Sequence, residues 1–203
     1  MKLTQLLIAL AALVPAISHG SAGMFDQYVF TSSNGGSLAF YDLGASTGNP
    51  DYQGTILGTF DRFTDTLQVG GQQKSFKNSG TDVTSHSLFW RITELGGAFA
   101  SVNMPFQFNI GVGGDQQWGG DSQGANADPI ELSSNVFSGL NNGTYTLEVY
   151  SQITTNGVNE APTVFNNNGG ANFTATFTLV PEPSRAMLAC VGFVGLITRR
   201  RRA

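Results

Sequence analysis

From about residue 26 to residue 180 the chain repeats one device. Short runs of alternating apolar and polar side chains are each closed by a Gly- or Asn-rich break. Alternation at period 2 sends successive side chains to opposite faces of an extended backbone, so each run predicts a strand with one buried face. Segments 26–31 and 37–43, joined by Ser32-Ser33-Asn34-Gly35-Gly36, predict a hairpin. Segments 54–60 and 64–69 predict a second hairpin around Asp61-Arg62-Phe63, with Gly70-Gly71 turning the chain toward 73–77. Strands are further expected at 82–92, 98–102, 106–110, 129–132, 144–155 and 172–180, with Pro105 marking a break or an edge. No helical periodicity of ten or more residues interrupts this series. Of the 203 residues, 26 are Gly and only 12% are charged, which excludes a coiled coil or a charge-laced bundle. The 15 Phe, 5 Tyr and 2 Trp supply enough apolar surface to exclude disorder. The expectation is all-β: one antiparallel β-sandwich.

Leu140-Asn141-Asn142-Gly143-Thr144-Tyr145 leads into the strand at 144–155. A tyrosine there resembles the tyrosine corner of immunoglobulin-like sandwiches, whose ring bonds back to nearby backbone. The expected arrangement is therefore Greek-key and immunoglobulin-like. With no Cys-Trp-Cys framework, that likeness concerns architecture alone.

The two ends have a different character. Met1-Lys2 precedes the apolar run 3–17, LTQLLIALAALVPAI, and then the small residues Ser18-His19-Gly20-Ser21-Ala22. A basic start, a short apolar run and a small-residue exit describe an export leader. Cleavage is expected after Ala22, although Ser18 and Gly20 also suit it. At the other end come Pro181-Glu182-Pro183-Ser184-Arg185, the apolar residues 186–198, and Arg199-Arg200-Arg201-Arg202. A helix of that apolar length covers about 20 Å against a hydrocarbon core of ~30 Å, a short span that flanking arginines help to hold. Four arginines keep their end in the cytoplasm, which places the body beyond the inner membrane.

These three parts, in that order, resemble the PEP-CTERM sorting signal of proteins exported by Gram-negative bacteria. The resemblance implies a substrate of exosortase, a membrane-embedded protease-like enzyme thought to cut near the motif. Pro181, Glu182 and Pro183 would be the recognised residues, and Arg199 to Arg202 the cytoplasmic basic anchor. It also implies a precursor held in the inner membrane, then a protein at the cell surface or in a polysaccharide-rich matrix. The physical sense is that two prolines fix an extended, donor-poor backbone that an enzyme cleft can read. The chain then divides into a leader at 1–22, a β-sandwich at 23–179 and a sorting segment at 180–203. The body, with GGSLAFYDL and NNGGANFTATFTL, is also similar to β-rich domains of secreted bacterial surface proteins, which brings no activity with it.

Catalytic chemistry finds little to work with. The single cysteine, Cys190, lies in the C-terminal apolar run, and His86 is the only histidine outside the leader. No thiol nucleophile or usual zinc set can be built in the body, and nothing selects a glycosidase carboxylate pair. No enzyme and no cofactor is expected. The loop 111–128 is either a solvated Gly-rich loop or, through Asp115, Asp121 and Asp128, a wrap for an oxygen-preferring cation such as calcium. Trp118 in that loop, with Tyr52 and Phe165 elsewhere, either offers rings for stacking on sugars or folds back onto the core. The expected role is structural or adhesive, with extracellular polysaccharide as a candidate partner. The competing expectation is a carbohydrate-binding module, calcium-dependent or not. The net charge of −4 brings no nucleic-acid partner. Without the two end segments the body keeps four basic residues against thirteen acidic ones, so it is far more acidic than the whole chain.

Overall fold

The computed structural model describes residues 21–44, 48–78, 80–111, 114–120 and 130–181. The apolar part of the leader, Glu182, Pro183, the C-terminal apolar run and its arginines lie outside these residues. No helix among the described residues is long and apolar enough to cross a membrane.

Among the described residues eleven strands form: β1 (Ala22–Ser33), β2 (Leu38–Asp42), β3 (Ile56–Asp61), β4 (Leu67–Lys77), β5 (Val83–Ile92), β6 (Ala100–Met104), β7 (Phe106–Ile110), β8 (Asp115–Gly119), β9 (Gly143–Thr155), β10 (Thr163–Asn166) and β11 (Phe173–Val180). One sheet has the order β2-β1-β4-β8-β7 and the other β3-β11-β9-β5-β6, with β10 paired to β9. Both sheets bury one face against the other, as alternation requires. Phe173, Ala175, Phe177 and Leu179 of β11 point inward, and the threonines between them point out.

The first hairpin forms as its Asn34-Gly35 turn dictates, both residues taking positive φ. The second does not form. β3 pairs in parallel with β11, whereas β4 joins the opposite sheet beside β1, so the sandwich is mixed rather than wholly antiparallel. The reason lies in the corner between them. Asp65 accepts from the Asp61 amide at 2.7 Å, and Asp61 accepts from the Phe63 and Thr64 amides, which folds 61–65 into a compact crossover. Leu67 and Val69 are thereby free to enter the core from the other layer.

Gly70-Gly71 is no turn either; β4 runs straight through it. A Cβ on Gly70 would meet the Phe30 ring at 2.3 Å, and one on Gly71 the Met104 sulfur at 2.7 Å. Here glycine serves close approach rather than chain reversal. Pro105 stands where the chain leaves β6 in one sheet for β7 in the other. Ile130 to Leu132 carry no strand. Just beyond, Ser133 and Val136 donate to the Val69 and Leu67 carbonyls and extend the edge of β4. Two strands lie outside the expected set: β8, inside the expected Gly-rich loop, and β10.

Tyr145 makes the expected corner. Its hydroxyl donates to the Asn141 carbonyl at 3.0 Å and accepts from the Asn141 amide at 3.2 Å. β9 runs about 40 Å from Gly143 to Thr155, at ~3.3 Å per residue. Its start lies beside the end of β11, where the described chain leaves at Val180 and Pro181. Its end lies beside β5 and the Asn156–Pro162 link, near which β1 begins. The described chain enters and leaves at opposite poles of the sandwich.

Candidate functional site

The residues nominated by sequence end up in very different places. Trp118 is a β8 residue and only 8% exposed. Pairing of Trp118 with Gln73 and of Gln116 with Ser75 turns these side chains inward. The indole stacks on the His86 ring at 4.5 Å and 15°, and Phe106 meets it edge-on at 5.3 Å. With both neighbours in place Trp118 is a core residue with little open ring surface. Tyr52 is wholly buried, with its hydroxyl donating to the Leu147 carbonyl at 3.2 Å, and burial pushes its phenol well above the usual pKa.

Asp115 opens β8, opposite Ile110, rather than sitting in a wrapping loop. Asp121 and Asp128 lie outside the described residues. Among the described residues no group of three or more His, Cys, Asp and Glu could hold a metal ion. Pro181 is exposed directly after β11.

His86 is fully buried between the layers. Its Nδ1 lies 2.5 Å from Gln73 Nε2 and its Nε2 lies 3.2 Å from Ser75 Oγ. Burial disfavours the charged imidazolium, so its pKa falls well below the usual value. Around it the layer interface is polar. Gln73 Oε1, Gln116 Oε1, Trp118 Nε1 and Ser151 Oγ are buried without a hydrogen-bond partner in the protein. Both amide atoms of buried Gln107, at the bulge of β7, are in the same condition.

Of the three nominated rings only Phe165 is exposed, at 52%, and it is not alone. On the outer face of the β3-β11-β9-β5-β6 sheet, register sets Phe89 of β5 opposite Tyr150 of β9. Their rings lie parallel at 4.8 Å and 4°. Phe99 meets Tyr150 edge-on at 4.9 Å, and Phe165 lies 6.2 Å away on its β10 neighbour. The Arg91 guanidinium covers Phe99 at 4.3 Å and donates to Glu148 at 2.7 Å. Most ring faces in this row are therefore covered by one another or by arginine, and Phe165 presents the largest open one.

Glu148 is 6% exposed. Burial raises its carboxyl, but hydrogen bonds from Arg91, Asn172 and Thr93, with the Arg91 charge, outweigh that and hold the pKa below the usual value. A cleft of about 200 Å³ opens next to Arg91, between the end of β5 and residues 134–138. Trp90, Leu95, Ser134, Asn135 and Val136 help to line it, and Arg91 is the ionisable residue among the described lining residues. Such a surface offers hydrogen bonds, apolar contact and one stacked cation. The described lining residues include no proton-transfer pair.

The sequence reading found Phe165 and missed Phe89, Phe99, Tyr150 and Arg91. The available signal was that Phe89, Arg91 and Tyr150 occupy the out-facing positions of strands whose inward positions are already apolar. No family model matches the chain, and no curated protein matches it.

Proposed function

We propose that the chain is an exported, non-enzymatic β-sandwich carried to the cell envelope by its two end segments. It is processed by exosortase and retained at the surface or released into a polysaccharide-rich matrix, where it has a structural or adhesive role. One observation carries this reading: the order Pro181-Glu182-Pro183, the apolar run 186–198, then Arg199 to Arg202. Its support from the fold is positional. The sandwich ends at Val180, the residue before the motif, and Pro181 is exposed there. β11 is flanked by β3 and β9, so a tail drawn into an enzyme cleft pulls on an interior strand and not on a free edge. The finer architecture is immunoglobulin-like, supported by the Tyr145 corner.

The test is to replace Pro181, Glu182 and Pro183 together by alanine in an exosortase-bearing host and to fractionate the cells. The expected result is a variant that keeps its arginine tail and stays in the inner membrane while the wild type leaves it. Identical distribution and identical C-termini would overturn the sorting assignment.

A second reading, carbohydrate binding, is favoured by the outer aromatic row flanked by Thr154, Gln152 and Ser87. The ring to test is Phe165, since Trp118 is buried. On a glycan array with and without calcium, specific binding lost in Phe165→Ala would establish it. Absence of binding in both conditions would remove it.

A further inference from the structure

The start of β1 is built into the sheet. Ala22 is buried and pairs with Lys77. One residue earlier, the Ser21 carbonyl accepts from the Asn78 amide at 2.8 Å and the Ser21 hydroxyl donates to the Asn159 carbonyl. Glu160, in the link between β9 and β10, faces both residues. Its Oε2 accepts from the Ser21 nitrogen at 2.9 Å and from the Ala22 nitrogen at 3.4 Å. Hydrogen bonds from the Ala161, Ala22 and Ser21 backbone hold this carboxyl below its usual pKa, so it is charged at neutral pH.

This geometry separates the three cuts that the leader's exit permits. Removal of residues through Ala22 would delete a buried apolar residue, the first β1–β4 pair and every contact of Ser21. A cut after Ser18 would leave the new ammonium two residues outside the carboxylate's contact. A cut after Gly20 converts the Ser21 nitrogen itself into the ammonium, in place beside Glu160. Ser18 and Gly20 then stand third and first before the scissile bond, the small-x-small spacing of a leader exit.

We propose that Gly20–Ser21 is the processing site of the exported chain and that Glu160 receives the α-ammonium created there. The step is a hydrolysis: water adds across the peptide bond, Gly20 leaves as a carboxylate and Ser21 keeps the nitrogen, which protonates. A hydrogen bond from a neutral amide to the Glu160 carboxylate becomes an ion pair between two charged groups. Leader removal thus strengthens the strand end that it exposes. The proposal rests on the export reading above.

The test uses the full 203-residue chain, expressed with its leader in a Gram-negative host and recovered from outside the inner membrane. N-terminal sequencing is expected to read Ser-Ala-Gly-Met. An exported chain starting at Gly23 or His19 overturns the site, whereas a chain still starting at Met1 overturns the export reading instead. The second arm compares acylation of the α-amine at neutral pH in wild type and Glu160→Gln. The wild type is expected to react at least about threefold more slowly, the factor for a half-unit rise in ammonium pKa. Equal rates overturn the role of Glu160. Should the variant fail to accumulate, the wild-type rate against pH decides. A midpoint above the ~7.7–8.0 of a free α-amine supports the pairing, and one at or below it refutes it.

Discussion

The two poles of the sandwich are filled by different chemistry. Where β9 starts and the chain leaves, the interior is apolar: Phe60, Leu67, Phe137, Leu147, Phe177 and Leu179. Phe137 lies 5.0 Å from Phe60 and 5.3 Å from Phe177, and Tyr145 sits 5.7 Å from Phe177 with its hydroxyl bonded to backbone. Toward the other pole, where β1 enters, Gln73, Ser75, His86, Gln116 and Ser151 share the interface with Ile153 and Trp118. Several of their polar atoms lack a protein partner there, so this interface holds more polar groups than protein hydrogen bonds to join them. The exit pole is packed ring against ring, whereas the entry pole is the less tightly specified one, where local opening is expected to start.

The largest test of that contrast is Phe177→Ala. Loss of a fully buried ring from the exit pole is expected to cost about 3–5 kcal/mol in urea unfolding; a cost under ~1 kcal/mol would break the contrast. Next comes pH. The folded pKa of His86 lies below the unfolded one, so its contribution is complete above ~6.5 and is lost as pH falls from there toward the folded value. Stability should fall by up to ~1.4 kcal/mol per pH unit below 6.5. His86→Leu should be flat between pH 6.5 and 5, above the range in which Glu94 and Glu148 titrate. A variant as pH-sensitive as wild type would remove His86 from the account. Tyr145→Phe deletes the two bonds to Asn141 and should cost about 1 kcal/mol, read as a lower urea midpoint with an unchanged slope. Smallest of all, Ser151→Ala removes a buried hydroxyl that has no protein partner, and its expected effect lies within ~0.5 kcal/mol of zero. A loss above ~1.5 kcal/mol would show that the entry pole is as tightly specified as the exit pole.

What could be read in advance was local. The Asn34-Gly35 turn sets φ at two adjacent residues and so declares its hairpin; the alternations of β5, β9 and β11 declare their buried faces. The Tyr145 corner spans only four residues and was equally legible. Pairing between distant segments was not. The parallel register of β3 on β11 joins residues some 120 apart, and no pattern inside 54–69 announces it. β8 hid because Asp115-Gln116-Gln117-Trp118-Gly119 reads as polar loop, although Gln116 and Trp118 face other inward polar residues across the register. The same limit applied to the candidate site. Phe165 was visible as an isolated ring, but Phe89 and Tyr150 meet only because β5 and β9 align 61 residues apart. Trp118 misled for the converse reason, since its burial depends on a stacking partner, His86, on another sheet.

Intact-mass analysis of the protein from cells with and without exosortase decides whether the C-terminal segment delivers it. In the first case a chain without Arg199 to Arg202, recovered beyond the inner membrane, is expected. In the second a membrane-bound chain that retains them is expected. The same intact C-terminus in the same fraction of both strains would contradict that delivery.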